Sequence, residues 1–332
     1  MKPCITAGLL AVALAGLMAA CSDNGAARDA PSATVAQGVG PGKALTVGFS
    51  QIGAESEWRT AETESIKGEA ARRGVGLKFA DAQQKQENQL KAVRAFVAQK
   101  VDAIIVAPVV ETGWEPVLRE AKAAGIPVFL ADRAIAVSDP SLYVTLVSPD
   151  VVEEGRMAGR WMAETLDGKG RIVELKGTTG SSPANDRAKG FREAITAHPG
   201  LSIIKSQSGD FTRSKGKEVM EAFLKSDAQE IDAVYAHNDD MALGAIQAIQ
   251  EAGLRPGTDI KIISIDAVRG AFQAMQAGTL NATVECNPLL GPALFDAIEK
   301  TMAGETVPKK ISLKERLYEQ QEAAALLPTR PY

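Results

Sequence analysis

The chain has 332 residues, of which 45% are hydrophobic and 23% are charged, and its net charge is −4. That length is more than one hydrophobic core usually organises, so two domains are expected. Lysines and arginines are spread along the sequence, and the absence of a basic stripe or an acidic tail argues against a nucleic acid or a basic protein as partner.

The first twenty residues are predicted to be a secretory signal peptide. Lys2 supplies a positive charge, and Ile5 to Ala20 form an apolar stretch that is too short for a convincing membrane span. Small residues precede Cys21, as in the processing site of bacterial lipoproteins, so Cys21 is predicted to be lipidated; the alternative is ordinary cleavage after Ala20. Either route leads out of the cytoplasm, and residues 21–43 are predicted to be a flexible tether.

The three cysteines do not support a disulfide scaffold. Cys4 leaves with the signal peptide, and Cys286 has no partner if Cys21 carries a lipid. The folded part is therefore expected to depend on its hydrophobic core.

From Ala44 onward, short β-branched stretches alternate with amphipathic ones. Strands are predicted at 45–51, 76–81, 103–107, 127–132, 142–147, 171–176, 201–207, 232–236, 260–265 and 281–285. Between them apolar residues recur three and four apart, as at Ala242, Ala245 and Ile249, and Gly74, Gly125 and Gly253 are predicted to end helices. This alternation predicts an α/β fold with parallel sheets wound by helices, and about ten strands form two sheets more readily than one.

Polar residues follow many of these strands, at the sheet edge where open parallel sheets bind ligands. They are Ser50, Gln51, Asp81, Asp132, Arg133, Asn238, Asp239 and Asp266. Such residues also cap helices, and capping is the preferred interpretation for Asp239 and Asp240. For Asp132 and Arg133 ligand binding is the preferred interpretation. The planar carboxylate of Asp132 accepts and the planar guanidinium of Arg133 donates, which suits the vicinal hydroxyls of a sugar; the alternative is a structural ion pair.

Longer segments resemble the periplasmic sugar-binding proteins of the ribose- and galactose-binding type. They are VGFSQ (47–51), ESEWR (55–59), AIIVAPVVETGWEPVLREAKAAGIPVFLADR (103–133), SQSGDFTRSKGKEVMEAF (206–223) and YAHNDDMALGAIQAIQEAGL (235–254). The similarity extends from about Leu45 to Ala303 and is greatest to galactofuranose-binding components of bacterial ABC importers.

The resemblance implies two doubly wound parallel-sheet lobes, the type I periplasmic binding fold, joined by a three-strand hinge. The crossovers are expected near 147–149, 286–288 and 311–313. The N-terminal lobe would comprise residues 44–148 and 287–311, and the C-terminal lobe residues 149–286 and 312–332. The ligand, a monosaccharide, would lie between the lobes, which close over it.

The resemblance also implies the ligand-binding residues. In the N-terminal lobe they are Glu55, Ser56, Glu57, Trp58, Arg59, Asp132 and Arg133; in the C-terminal lobe they are Arg187, Phe211, Asn238 and Asp266, with Glu285 a weaker candidate at the crossover strand. Glu57 stands where a glycine is expected in the galactofuranose-binding members. Cys286 and Asn287 stand where more distant members place an amide ligand.

Two aromatic residues are expected to form the walls of the site. Sugars present apolar C–H faces and a rim of hydroxyls, so Trp58 and Phe211, from opposite lobes, would sandwich the ring while charged and amide groups bind its edge. The alternative for each is a place in the hydrophobic core.

Other functional classes find little support. The sequence has only two histidines and lacks HExxH, CxxC, nucleophile-elbow and phosphate-loop motifs, so no catalytic residue, cofactor or metal is predicted. Sugar-responsive repressors share the two-lobe core, but they begin with a DNA-binding segment where this chain has a signal peptide. The expected partner is an ABC permease in the inner membrane, with the protein a monomer; the alternative is a sugar sensor that presents its closed form to a chemoreceptor or a sensor kinase.

Overall fold

The computed structural model describes residues 45–332, apart from the side chain of Gln229. The predicted signal peptide, the tether and the lipidation site at Cys21 lie outside this range. Within it, none of the helices combines the length and the apolar character needed to cross a bilayer.

Strands and helices alternate along the described range. The strands are β1 (Thr46–Gln51), β2 (Gly76–Asp81), β3 (Ala103–Val106), β4 (Val128–Ala131), β5 (Leu146–Ser148), β6 (Lys169–Lys176), β7 (Gly200–Ser208), β8 (Ala233–Ala236), β9 (Lys261–Asp266), β10 (Ala282–Glu285), β11 (Lys310–Ser312) and β12 (Leu317–Glu319). The helices are α1 (Glu57–Arg72), α2 (Gln86–Ala98), α3 (Glu115–Ala123), α4 (Val151–Thr165), α5 (Ser182–Ile195), α6 (Arg213–Asp227), α7 (Asp239–Glu251), α8 (Arg269–Gln276), α9 (Gly291–Met302) and α10 (Ala323–Leu326).

The strands form two six-stranded sheets, which confirms the predicted pair of α/β lobes. Their orders are β11-β5-β4-β3-β1-β2 and β12-β10-β9-β8-β6-β7. We call the lobe built on the first sheet the first lobe and the other the second lobe. The described chain passes between the sheets three times: after β5, after β10, and from β11 to β12. The residue limits assigned to the lobes from the sequence stay a prediction.

One strand departs from the predicted all-parallel arrangement. β12 pairs antiparallel with β10, while the other pairings are parallel. The reason lies in the crossovers, because β10 ends where the chain leaves the second sheet and β12 begins where the chain returns to it. Both strands have that end at the hinge, so they must run in opposite directions.

Hydrophobic side chains cover both faces of the sheets. All four residues of β3 are buried, as its continuous apolar sequence predicts. Two apolar clusters cover the first sheet, and one large cluster forms the core of the second lobe. Trp58 lies on α1, which follows the first strand of the first sheet, yet it packs with the cluster of the second lobe.

Two local predictions were wrong. The strand predicted at 142–147 begins only at Leu146, because Pro140–Leu142 form a 3₁₀ turn whose proline restricts the backbone. Helix α7 is capped by Asn238, whose side chain accepts from the Met241 amide, and not by Asp239 or Asp240. Asp239 is instead buried, accepting hydrogen bonds from Ser264 and Thr283.

Candidate functional site

A small cavity lies between the lobes, at the carboxyl ends of strands of both sheets. It encloses about 250 Å³ and is lined by Trp58, Arg59, Asp132, Arg133, Pro183, Arg187, Phe211, Asp266 and Cys286. We call this space the cleft cavity. Its charged lining suits a compact polar ligand.

Arg59 is the centre of the site in the first lobe. Ser56 caps α1 by accepting from the Arg59 amide, which orients the first turn of the helix towards the cleft. The Arg59 guanidinium is surrounded by three carboxylates, at 3.0 Å from Glu55, 2.5 Å from Glu62 and 2.7 Å from Asp132. Burial opposes its charge, but Glu62, Asp132 and Glu55 together raise the pKa of Arg59 above its ordinary range. The guanidinium thus stays charged and rigidly held.

Arg133 is less completely satisfied than Arg59. Its Nη1 donates to the carbonyl of Val109 at 3.0 Å, whereas its Nε is buried without a hydrogen-bond partner in the described structure. Burial and the nearby charge of Arg59 lower the pKa of Arg133 to about 10. One carboxylate oxygen of Glu55, Oε2, is likewise buried without a partner among residues 45–332. A buried polar atom left unpaired is costly, so Arg133, which lines the cavity, is suited to a ligand that offers an acceptor.

Arg187 and Asp266 form the charged part of the second lobe's side. Arg187 donates from Nε to Glu154 at 2.8 Å and from Nη1 to the carbonyl of His237 at 2.5 Å, and its Nη2 lies 3.7 Å from Asp266. Burial raises the pKa of Asp266 well above its usual range, although Arg187 opposes the shift. Asp266 makes no hydrogen bond with its carboxyl group among the described residues, which leaves both oxygens for a ligand.

The two aromatic residues predicted as walls both line the cleft cavity. Trp58 donates its indole N–H to the carbonyl of Cys286 across the lobes, and Arg59 lies over its ring at 4.7 Å. Phe211 lies below Arg133, 5.1 Å from the ring centre to the guanidinium. Both are buried, at 4% exposure each.

The structure brings together seven of the twelve residues proposed from the sequence. Those lining the cleft cavity are Trp58, Arg59, Asp132, Arg133, Arg187, Phe211 and Asp266. Glu55 and Ser56 stand behind them, where they orient Arg59.

The other three proposed residues have different neighbours. The Glu57 amide donates to Asp240 of the second lobe at 2.7 Å. The Asn238 side chain caps α7 and donates to the carbonyl of Phe211. Glu285 accepts from Arg330, Tyr318 and Tyr332, all near the C-terminal end of the chain. These three are not among the lining residues.

Sequence reasoning missed the residues that hold the site in place. Glu62 stands three positions after Arg59 on α1, a spacing at which helical side chains meet, so a local signal was available. Glu154 is 33 residues away from Arg187 along the chain, and no local pattern connects them. Gly177 allows the Phe211 ring to approach the backbone, because an added Cβ there would lie 1.8 Å from the ring.

The residues that line the cleft cavity include no activated nucleophile. The one thiol in the lining, Cys286, is buried, and burial raises the pKa of this thiol well above its usual range. A thiol kept protonated in this way is a poor nucleophile. What the cavity does offer is three guanidinium groups, two carboxyl groups and two aromatic faces.

Comparison with known proteins agrees with this geometry. The family model described as "Periplasmic binding protein domain" matches residues 47–305. The galactofuranose-binding protein YtfQ of Escherichia coli (strain K12) is 59% identical over 278 residues, covering 82% of this chain and 87% of that protein.

Two solved structures are similar throughout the folded part. A crystal structure of a galactofuranose-binding protein has a TM-score of 0.84 and 57% identity, covering 86% of this chain and 98% of its own. The binding protein of the arabinose ABC transporter from Shewanella sp. ANA-3, bound to α- and β-L-arabinofuranose, has a TM-score of 0.84 and 55% identity, covering 86% and 96%. The chain therefore belongs to the periplasmic binding protein family.

Proposed function

We propose that the protein binds a monosaccharide in the cleft cavity as the extracytoplasmic component of an ABC importer, with a galactofuranose-like sugar as the leading candidate. The observation that carries the proposal is the lining of the cavity, in which charged donors and acceptors from both lobes converge together with two aromatic residues. The similarity to proteins named for galactofuranose and L-arabinofuranose binding supports furanose sugars first.

The chemistry of the lining fits a polyhydroxylated ring. Each sugar hydroxyl can donate to Asp132 or Asp266 and accept from an arginine, and hydrogen bonds to charged groups are the stronger kind. A sugar with one hydroxyl inverted leaves a buried group unpaired, at a cost of roughly 1–3 kcal/mol. Such a site distinguishes stereoisomers without carrying out chemistry on them.

Closure of the lobes is the second part of the proposal. The ligand contacts come from both lobes, so a sugar bound between them favours the closed arrangement over the open one. Moving such an equilibrium from mostly open to mostly closed takes about 5.5 kcal/mol of differential affinity. In this proposal a permease of the inner membrane recognises the closed form of a monomeric, periplasmic protein, anchored by lipid if Cys21 is acylated. A receptor role in sugar sensing would use the same closed form and stays a prediction.

Thermal unfolding of the full chain against a panel of pentoses and hexoses tests the sugar. A ligand at a hundred times its Kd adds about 2.7 kcal/mol to the free energy of unfolding, which raises the melting temperature. We expect Asp132→Ala and Arg187→Ala to abolish that rise. Because either change leaves an opposite charge buried, Asp132→Asn, which keeps the side-chain shape, is the milder variant.

A control variant separates the site from general destabilisation. Arg255→Ala removes an exposed arginine that pairs with Asp259 in the second lobe, away from the cleft, and should leave the sugar-induced rise unchanged. If Asp132→Asn and Arg187→Ala fold and still show the full rise, the ligand binds elsewhere. A turnover product of the sugar would contradict a pure binding function.

A further inference from the structure

Three ionisable groups meet at the hinge, behind the wall of the cleft cavity. Glu154 comes from α4, Cys286 from the crossover after β10, and Glu315 from the crossover between β11 and β12. One carboxylate oxygen of each glutamate and the Sγ atom of Cys286 all lie within 4.8 Å of one another. We call these residues the hinge cluster. It joins two of the three crossovers to α4, whose Glu154 contacts Arg187 of α5.

The cluster contains more acidic groups than the positive charge beside it can neutralise. From α5, Arg187 contacts Glu154 at 2.8 Å and also lies 3.7 Å from Asp266, so one guanidinium faces three carboxyl groups when Glu315 is included. The cations that flank Glu315 do not change this count: Lys314 is exposed, and Arg316 pairs with Glu322. At least one of the carboxyl groups is expected to take up a proton.

The contacts of Glu315 indicate where that proton lies. Its Oε1 accepts from the backbone amide of Asn287 at 2.8 Å, and a carboxyl oxygen of Glu315 lies within 4.8 Å of one of Glu154. Glu154 uses Oε2 for Arg187, while its buried Oε1 has no donor other than a protonated neighbour among residues 45–332. Two carboxylates in such contact repel each other, whereas a carboxylic acid donates to a carboxylate.

We propose that Glu315 is a positioning residue that keeps its proton at neutral pH, donates it to Glu154, and thereby holds the carboxylate that orients Arg187 at the cleft cavity. The hydrogen-bonded series Asn287–Glu315–Glu154–Arg187 then connects the hinge to the ligand side of Arg187. Its effect on sugar affinity rests on the proposed function, but the location of the proton does not.

The electrostatics of the cluster support this assignment. Burial and the charge of Glu154 raise the pKa of Glu315 to about 11, against the opposing effect of the Asn287 amide. Because the proton is bound below this pKa, the hydrogen bond exists at neutral pH and is lost as the pH rises towards about 11. Cys286 remains a neutral thiol, since burial and Glu154 raise its pKa as well.

Infrared spectroscopy of the full chain without sugar tests the proton directly. At neutral pH the wild type should show deuterium-sensitive bands of protonated carboxyl groups, and the component that belongs to Glu315 should be missing from Glu315→Gln. Asp266, whose pKa is also raised, should keep its own component in that variant. Glu305→Gln, which changes an exposed glutamate in the loop between α9 and β11, should keep every component. An unchanged set of bands in Glu315→Gln would overturn the proposal. So would a divalent cation found in the wild type by elemental analysis and lost in that variant.

Calorimetry with D-galactose and L-arabinose then tests the positioning role. Gln donates its amide to Glu154 and accepts from Asn287, so Glu315→Gln should bind within about twofold of the wild type at neutral pH. It should also lose less affinity than the wild type as the pH rises towards about 11, a range in which deprotonation of Arg133 affects both proteins. Glu315→Ala should bind about tenfold more weakly, as expected for a lost hydrogen bond to a charged group. A folded Glu315→Gln as weak as Glu315→Ala would overturn the role. If the wild type binds neither sugar, the proposed function is in question while the infrared result still stands.

Discussion

Three residues of the cleft cavity have a backbone conformation that side-chain-bearing residues seldom adopt. The φ angles are 64° at Asp132, 61° at Phe211 and 128° at Asp266. Each such residue costs on the order of 1–3 kcal/mol and persists only where its surroundings hold it. Here the surroundings are the cleft itself, and each conformation places its side chain in the cavity lining. Three of the nine non-glycine residues with positive φ in residues 45–332 are thus proposed binding residues.

Replacing Gly177 tests whether the Phe211 ring contacts the sugar. In Gly177→Ala the new Cβ meets the Phe211 ring, which must move away from the cavity lining. Overpacking of this kind costs about 1–3 kcal/mol, so we expect a lower free energy of unfolding together with weaker sugar binding. Denaturant unfolding and calorimetry measure the two effects. Gly68→Ala, in the middle of α1 with open space around it, is the matched control and should weaken neither. Unchanged sugar affinity in a folded Gly177→Ala would mean that Phe211 does not contact the ligand.

At the scale of elements, a side chain of the second lobe caps the first helix of the first lobe. The first amide of α1, that of Glu57, donates to Asp240 at the start of α7, and Arg213 holds Asp240 in place at 2.9 Å. The Glu57 carboxyl group in turn lies next to Gly270 in the first turn of α8, a helix whose own N-cap, Val268, has no side-chain acceptor. Carboxylates are favourable at helix N-termini. The capping exists only while the lobes touch, so it stabilises the closed arrangement without touching a sugar.

Asp240→Ala should therefore lower the affinity for every sugar by the same factor. The loss of a helix cap costs typically about 1 kcal/mol, which corresponds to roughly a fivefold weaker apparent affinity. Affinities for several sugars, measured by calorimetry, should fall in parallel, because the ligand contacts themselves are unchanged. Asp259→Ala breaks an exposed pair with Arg255 in the same lobe and should leave all of them unchanged. A changed order of preference among sugars would place Asp240 in the ligand site instead.

At the scale of the whole molecule, the lobes also meet on the opposite rim of the cleft. The Glu111 amide donates to the carbonyl of Gly180 at 2.9 Å, and the Ala134 amide donates to Ser182 at 2.8 Å. Because the lobes contact each other on both rims, the cleft is closed. Contacts between the lobes therefore stabilise the closed arrangement in addition to those of the proposed sugar. Each lobe must meanwhile remain folded through opening and closing, which depends on its own buried polar network.

Such a network lies in the second lobe and makes stability depend on pH. Burial opposes the charge of Glu174, but hydrogen bonds from His237 and Ser206 and the charge of Arg192 lower the pKa of Glu174 to about 2. A depressed carboxyl pKa stabilises the fold above the ordinary value near 4.5, and this contribution is lost as the pH falls towards 2. Burial lowers the pKa of His237, which acts in the same direction.

Denaturant unfolding of the full chain over a series of acidic pH values measures this dependence. We expect the free energy of unfolding to fall between about pH 4.5 and 2, and to fall less steeply in Glu174→Gln, which is less stable at neutral pH. Glu164→Gln alters an exposed glutamate of the same lobe and should follow the wild type. Parallel curves for wild type and Glu174→Gln would show that this network does not determine acid stability.

The sequence by itself determined the architecture, because the signals for it are local. A continuous apolar stretch such as β3 must be buried on both faces, and Gly74, Gly125 and Gly253, with φ of 68°, 72° and 78°, mark helix ends wherever the rest of the chain lies. The polar residues directly after strands could be placed at one sheet edge by the same reasoning. Periodicity could not identify which of the cleft residues bind the ligand, and the resemblance to a known family supplied that prediction.

Only the tertiary structure decided which of these polar residues face the cavity and what holds them there. Asn238 and Asp239 are adjacent in sequence, yet one caps a helix and the other is buried between two strands. Glu154 meets Arg187 and Glu315 only because a helix and two distant segments converge at the hinge. Electrostatic and hydrogen-bonding partners depend on distance in space. Because the described chain crosses between its lobes three times, residues that are far apart in sequence become neighbours at the hinge.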